Sequence, residues 1–201
     1  MHTEYMRILS AALLMLAVVT GAFSQQDGRV HAGEAPPQPE RGILHGYGDP
    51  MSIRSFTELC TKADTIIDGV VETDTPRLMP GRHATVETDF RISVNRVLKG
   101  PIDTREVVVS ETGGTVGELQ LIMNFPLLRK GDRYVLFLDA ENRPEIPPVP
   151  GLPRFRAEVV FRAFKVEAGK IQPFFRDAFQ GKYTGLTPDE FAAAVAAEMK
   201  Q

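Results

Sequence analysis

The sequence predicts a mainly β domain with a short helix at each end. Apolar and polar side chains largely alternate from Val86 to Asn95, and a continuous apolar run, YVLFL, spans Tyr134 to Leu138. Alternation with a period of two is typical of a strand with one buried face, and a short apolar run after a turn is typical of a strand covered on both faces. Near both ends of the predicted domain, a serine or threonine stands three residues before a glutamate, which indicates a helix start.

The first 24 residues have the layout of a signal peptide. Arg7 precedes a largely apolar run at 8–19, and small residues follow within 21–24. This run is shorter than the roughly 20 apolar residues that a membrane-spanning helix needs, so we expect cleavage rather than permanent anchoring. Residues 1–24 are therefore predicted to direct export to the periplasm or the extracellular space, with no stable membrane anchor after cleavage.

Residues 25–52 are predicted to form a flexible leader, and residues 53–201 a single domain. The leader is rich in glycine, proline and polar residues and has no sustained apolar period, which is the composition of a flexible linker. The remaining length suits one domain with one hydrophobic core.

The domain is predicted to begin with a helix and two strands. Ser55 and Glu58 match a capping box, and the β-rich segment from Thr65 to Val71 predicts the first strand. In the alternating strand that follows, the pattern assigns one face to the core and the other to solvent. The core face is predicted to hold Val86, Phe90, Ile92 and Val94, and the solvent face Glu87, Asp89, Arg91, Ser93 and Asn95.

The later elements are predicted from turns and caps. A second apolar residue at Val97-Leu98, just before the Lys99-Gly100-Pro101 turn, indicates a bulge. Residues 106–110 and 134–138 predict further strands, and Ala168-Gly169 predicts the turn of a hairpin. Thr187 as N-cap, followed by Pro188, predicts a final helix from about residue 188 to 200.

Charge and cysteine content exclude some classes of protein. The formal net charge is −3, and 23 basic residues are scattered among 26 acidic ones, so the chain lacks the basic surface that nucleic-acid binding requires. Cys60 is the one cysteine, which excludes an internal disulfide and leaves the core to hold the domain together. Because Cys60 takes an apolar position of the first helix, we expect it to be buried.

In chain order, the segments SFTELCTKADTIIDGVV, NRVLKG, EVVVSETGG and RKGDRYVLFLD resemble a group of small exported bacterial proteins of unknown function. The resemblance spans roughly Ser55 to Val166. It implies a five-stranded, OB-like closed barrel with a short N-terminal helix and a C-terminal helix. The implied topology is similar to that of the tissue-inhibitor-of-metalloproteinase and netrin modules.

That likeness makes inhibition of an extracellular protease an alternative function by fold analogy. In the animal inhibitors, the amino group and carbonyl of an N-terminal cysteine chelate the zinc of the target, and disulfides hold the inhibitory wedge. This chain has neither feature, so no inhibitory residue is assigned.

The sequence assigns no catalytic residue, metal or cofactor. It lacks a G-x-S-x-G elbow and an H-E-x-x-H motif, and its four histidines lie in the signal peptide, the leader and a loop. The acidic pairs Glu72/Asp74 and Glu87/Asp89 could ligate calcium, but Glu87 and Asp89 lie on the polar face of a strand and are interpreted as solvated. An enzyme whose carboxylates or arginines act at a site without a motif is a further alternative. The arginines considered for it are Arg154, Arg156 and Arg162.

The proline-rich segment 141–153 is the predicted contact surface for a partner. Five prolines favour stiff extended backbone, which loses little entropy on docking. Ile146, Val149 and Leu152 are predicted to be exposed there for binding, although a rigid connector between barrel strands is the simpler explanation of the segment. The leading hypothesis is therefore an exported, non-catalytic module that binds a protein or envelope ligand through loops at one end of the barrel.

Overall fold

The computed structural model describes residues 42–46, 53–79, 85–144, 146–157, 162–174 and 180–200. The predicted signal peptide and most of the predicted leader lie outside these ranges. The described part of the chain is mainly β, with one helix before the main sheet and one at the C-terminal end, as predicted.

The elements are numbered in chain order. They are β1 Gly42–Gly46, α1 Phe56–Lys62, β2 Thr65–Met79, β3 Thr85–Lys99, β4 Glu106–Thr112, β5 Gly114–Val116, β6 Leu119–Met123, β7 Arg133–Ala140, β8 Arg154–Arg156, β9 Ala163–Glu167, β10 Lys170–Pro173 and α2 Pro188–Glu198. A single 3-10 turn, Gln180–Tyr183, precedes α2.

The main sheet has the strand order β10-β9-β7-β2-β3-β4-β8, and β8 also pairs with β7. Five strands, β7, β2, β3, β4 and β8, are therefore linked in a ring of pairings. These pairings are antiparallel except between β4 and β8, which are parallel. A second sheet has the order β1-β6-β5, in which β1 pairs with β6 in parallel. Residues 42–46 belong to the predicted leader, so this part of it forms a strand.

Opposite faces of the ring strands belong to two separate cores. Alternation along β7 places Leu136 in one core and its neighbour Phe137 in the other. The first core, made by the ring strands themselves, includes Ile67, Val71, Phe90, Ile92, Val107, Val109, Tyr134, Leu136, Leu138 and Phe155. The second core lies between the sheet and the helices and gathers the rings of Phe56, Phe137, Phe164, Tyr183 and Phe191. Burial of this apolar area is the main stabilising contribution to the fold.

Strands β2 and β3 are longer than predicted, at 15 residues each. Pro76 lies within β2 opposite Thr88. This is possible because, among the described residues, no strand pairs with β2 at Pro76 on the side away from β3, so the missing N–H costs no ladder bond there.

The predicted bulge is confirmed. Ile66 pairs with Lys99 and Ile67 pairs with Val97, which leaves Leu98 as the extra residue. The turn that follows requires glycine, since Gly100 has a φ of +97° and a Cβ there would lie 2.6 Å from Thr65 Oγ1.

The predicted helix caps are also observed. Thr187 and Glu190 form a complete capping box at α2. At α1, the Ser55 hydroxyl accepts from Glu58 N, but the Glu58 carboxylate accepts from Arg54 N instead of Ser55 N.

Cys60 is fully buried, as predicted, and burial raises the pKa of its thiol to about 12. The thiol is therefore un-ionised at neutral pH.

Lys99 joins the end of β3 to the end of α1. Its ammonium donates to the carbonyl oxygens of Cys60, Thr61 and Ala63 at 2.9, 3.0 and 2.6 Å.

We expect Lys99→Met to lower the free energy of unfolding by about 2 kcal/mol, because hydrogen bonds from a charged donor to helix-terminal carbonyls are lost. Urea unfolding followed by circular dichroism measures the change. The control Lys130→Met, at an exposed turn, should change stability by less than about 0.5 kcal/mol; equal losses in both variants would contradict this role of Lys99.

Candidate functional site

The predicted solvent face of β3 is wrong at its N-terminal end. Glu87 is only 2% exposed, and the Asp89 side chain is 15% exposed. A charged side chain is buried at a tolerable cost only when it is paired. Arginines from other segments cover both carboxylates, and a strand's own alternation pattern contains no information about such partners. The interpretation of Glu87 and Asp89 as solvated is therefore replaced by one of buried ion pairs.

Glu87 is held between two arginines. Arg77, its register partner on β2, donates from Nη2 to Glu87 Oε2 at 2.9 Å. Arg143 donates from Nη1 to Glu87 Oε1 and binds Glu141 through two further bonds, from Nε to Oε1 at 2.9 Å and from Nη2 to Oε2 at 2.6 Å. Burial acts to raise the pKa of Glu141, but the bonds from Arg143 outweigh it and hold that pKa below its usual range.

Asp89 receives the next set of donors. Arg154 binds it with both terminal nitrogens, at 2.9 Å each, and Arg77 Nε donates to Oδ2 at 3.1 Å. The Ser110 hydroxyl donates to Asp89 Oδ1 at 2.7 Å. The register explains this meeting, because Asp89 lies opposite Ser110 on β4, and Val108 on the same strand pairs with Arg154 of β8.

These side chains form one connected arginine-carboxylate network. It consists of Arg77, Glu87, Asp89, Ser110, Glu141, Arg143 and Arg154. The network crosses β2, β3, β4 and β8 and ties the start of the proline-rich segment to the sheet. Because the donors of a guanidinium group lie in one plane and form a fork, their bonds to a carboxylate fix the orientation of both groups and also pair their charges.

A small cavity of about 120 Å³ lies over β4 beside this network. Of the lining residues within the described ranges, four are polar, three are apolar and none is acidic. The lining consists of Ser110, Thr112, Met123, Phe125, Arg143, Arg156 and Ala157. We call it the β4 cavity.

A larger cavity of about 320 Å³ lies at one end of the ring of strands. At this end β2 and β8 begin, β7 ends, and the chain turns after β3. Its lining consists of Asp64, Thr65, Pro101, Ile102, Asp103, Ala140, Pro153 and Phe155. Phe155 is 8% exposed and belongs to the first core, whereas Asp64 and Asp103 are exposed. We call it the ring-end cavity; it has apolar walls and carboxylates at its mouth.

The proline-rich segment borders both cavities but not through the predicted residues. Ile146 was expected to be exposed and is only 6% exposed; a turn closed by its N–H to the Arg143 carbonyl, at 3.1 Å, carries it inward. Val149 and Leu152 are partly buried and bridge to each other. The residues of the segment that line cavities are instead Arg143 and Pro153.

The other candidates are separated from one another. Arg154 belongs to the network and Arg156 lines the β4 cavity, while Arg162 pairs with Asp139. Glu72 and Asp74 are exposed. Of the histidines, His45 lies in β1, and His2, His31 and His83 lie outside the described residues.

The described residues contain no group of three or more His, Cys, Asp or Glu side chains that could hold a metal ion. No helix within them has the length and apolar character needed to cross a membrane.

No protein-family model matches the chain, and a search of curated proteins finds no relative. The function is therefore inferred from the geometry of the two cavities and the network.

Glu111 is a buried carboxyl on the core-facing side of β4. Its Oε2 accepts from Leu128 N at 3.1 Å, and burial raises its pKa to about 8. An unfolded glutamate titrates near 4.5, so the folded protein holds the proton more tightly. The stabilisation is complete below pH 4.5, decreases as the pH rises from 4.5 to 8, and does not change further above 8.

We expect Glu111→Gln to remove this loss of stability. A glutamine oxygen still accepts from Leu128 N but does not ionise. The difference in unfolding free energy between variant and wild type should grow in the variant's favour by up to about 1.4 kcal/mol per pH unit across that window. Urea unfolding between pH 4.5 and 9 measures it. Glu72→Gln, at an exposed site, is the control; parallel pH profiles for wild type and Glu111→Gln would contradict the assignment.

Arg143 should matter far more than an arginine in an exposed pair. Arg143→Met leaves Glu141 without its guanidinium and Glu87 with Arg77 alone, so we expect a loss of about 3 kcal/mol. We also expect faster proteolysis within 141–153. In the matched control Arg91→Met, the lost pair with Glu106 is 3.6 Å long and both side chains are more than 40% exposed, so less than about 1 kcal/mol should be lost. Similar values for the two variants would show that the network adds little to stability.

Proposed function

We propose that this protein is an exported, non-catalytic binding module, and that its ring of strands is an OB-like closed barrel holding a ligand in the ring-end cavity. The observation that carries the proposal is the cavity itself. At about 320 Å³, it falls in the lower part of the range of small-molecule and side-chain sites, which starts near 300 Å³. Loop residues form it at one end of the ring, together with the ends of β2, β7 and β8.

The lining indicates what such a ligand carries. Ile102, Phe155 and the two prolines provide apolar contact, and the part of the lining that the structure describes contains carboxylates but no lysine or arginine. An apolar group with a positive charge complements this surface, because its chain replaces water on the walls while the charge stays at the mouth beside Asp64 and Asp103. A basic side chain of a protein or an amine of the cell envelope has this chemistry.

The closed-barrel assignment is supported by the pairings. Each of the five ring strands has two neighbours in the ring, and the apolar side chains of one face of these strands form a single core. Closure removes exposed strand edges, which otherwise invite association. Export rests on the signal-like first 24 residues and on the resemblance to exported bacterial proteins.

The non-catalytic assignment is supported by the bonding of the polar groups. The carboxylates of Glu87 and Asp89 are occupied by arginines, and the Ser110 hydroxyl donates to a carboxylate that Arg154 and Arg77 already bind. A nucleophile needs a base with an accessible lone pair and a pKa suited to proton transfer. This set of contacts provides structural pairing instead.

Amines of moderate length test the proposal. We expect hexylamine to bind saturably at the ring-end cavity of the full chain, with hexanol weaker at that cavity by at least threefold and hexanoate weaker there still, because the rim carboxylates attract the first and repel the last. Isothermal titration measures the affinities, and backbone amide shifts in NMR spectra locate the site. Ala140→Trp, which fills the cavity, should weaken hexylamine binding at least tenfold.

The matched control is Ala193→Trp, on the exposed surface of α2 and outside the lining of either cavity. It should bind hexylamine like the wild type. Equal weakening by both tryptophans, or amide shifts of the ring-end lining that are as large with hexanoate as with hexylamine, would refute the ring-end site. If the wild type binds as expected, affinity capture from native envelope with wild-type and Ala140→Trp baits identifies the natural ligand.

A further inference from the structure

The β4 cavity has chemistry opposite to that of the ring-end cavity. Its polar side is formed by Ser110, Thr112, Arg143 and Arg156, and its apolar side by Met123, Phe125 and Ala157. Two guanidinium groups and two hydroxyls therefore surround a space of about 120 Å³, and the lining residues that the structure describes include no carboxylate. Such a lining attracts a negatively charged group that has an apolar part.

Arg143 retains hydrogen-bonding capacity toward this space. A guanidinium has five N–H donors, and Arg143 uses three of them on Glu141 and Glu87. Its two remaining donors have no acceptor among the described residues. The Thr112 hydroxyl likewise makes no hydrogen bond within the part of the chain that the structure describes, although its residue is partly buried.

The polar side is also held in place before any ligand arrives. Ser110 is 1% exposed and is bonded to Asp89 and Arg154, while Arg143 is fixed by two carboxylates. Binding groups that are already immobile lose little conformational entropy when a ligand docks. The network thus provides the rigid wall that an anion site requires.

The geometry points to a second binding site in the β4 cavity, for a carboxylate carried on a small apolar group. A planar carboxylate matches the planar donors of a guanidinium, and its short carbon chain faces Met123, Phe125 and Ala157. A tetrahedral phosphate or sulfate suits the cavity less well, because some of its oxygens would face the apolar side without a donor. The ligand is either a free short-chain acid or the C-terminal residue of a polypeptide, which share this chemistry.

Butyrate, butyramide and sulfate test the site on the full chain. We expect saturable binding of butyrate, detected by isothermal titration and by amide shifts of Ser110 and Thr112, and at least tenfold weaker binding of butyramide and of sulfate. Arg156→Met should weaken butyrate binding at least tenfold and Thr112→Val at least threefold. Arg91→Met loses the same charge from an exposed position outside the lining and should leave the affinity unchanged.

Two further arms distinguish the source of the carboxylate. An acetylated tripeptide ending in a free-carboxylate alanine is compared with its amidated form. Tighter binding of the free peptide than of butyrate assigns the site to polypeptide ends, and selective binding of butyrate assigns it to small acids. Circular dichroism verifies folding, and if Arg156→Met is unfolded, Thr112→Val, which removes one hydroxyl, decides the question.

The proposal is overturned if butyrate fails to saturate, if butyramide or sulfate binds equally well, or if Arg91→Met and the tested cavity variant weaken butyrate alike. None of these outcomes depends on the ring-end cavity, whose lining shares no residue with that of the β4 cavity.

Discussion

Burial of Glu87 on β3, beside the partly buried Asp89, is the constraint on which this face of the structure depends. An unpaired carboxylate at the position of Glu87 would cost several kcal/mol, so the fold must bring cations to it. Arg77 reaches it along the strand pairing, whereas Arg143 reaches it only because the proline-rich segment folds back over the sheet. Local register and a long-range loop contact are thus coupled through one side chain.

Local signals predicted the local parts of the fold. Caps, turns and alternation predicted α1, α2, the β9–β10 hairpin and the bulge at Leu98, because each depends on residues within a few positions of one another. The burial of Glu87 depends on an arginine 56 positions away, and the parallel pairing of β4 with β8 depends on strands separated by more than 40 residues. The apolar-polar pattern of a short stretch of sequence contains no information about these long-range contacts.

The candidate sites were predictable to different extents. Binding at loops of one barrel end stays a prediction; a cavity lies at such an end because loops that leave a strand ring at one end face one another. The particular residues were not predictable, because an apolar side chain in a proline-rich loop is as well suited to anchoring as to exposure. Ile146 is turned inward, and the stiffness of the proline-rich segment fixes the two ends of that segment. Near these ends, Arg143 and Pro153 line two different cavities.

Saturation of the network explains why the cavities lie beside it rather than within it. Glu87 and Asp89 each accept from two arginines, and a ligand that displaced any of them would leave a buried charge without a partner. Among the described residues of the network, Arg143 keeps free donors at the margin, and the ring-end cavity offers apolar walls where strands end. The charge pairs that hold the sheet together therefore leave the two proposed sites at its edges, with carboxylates at one cavity and arginines at the other.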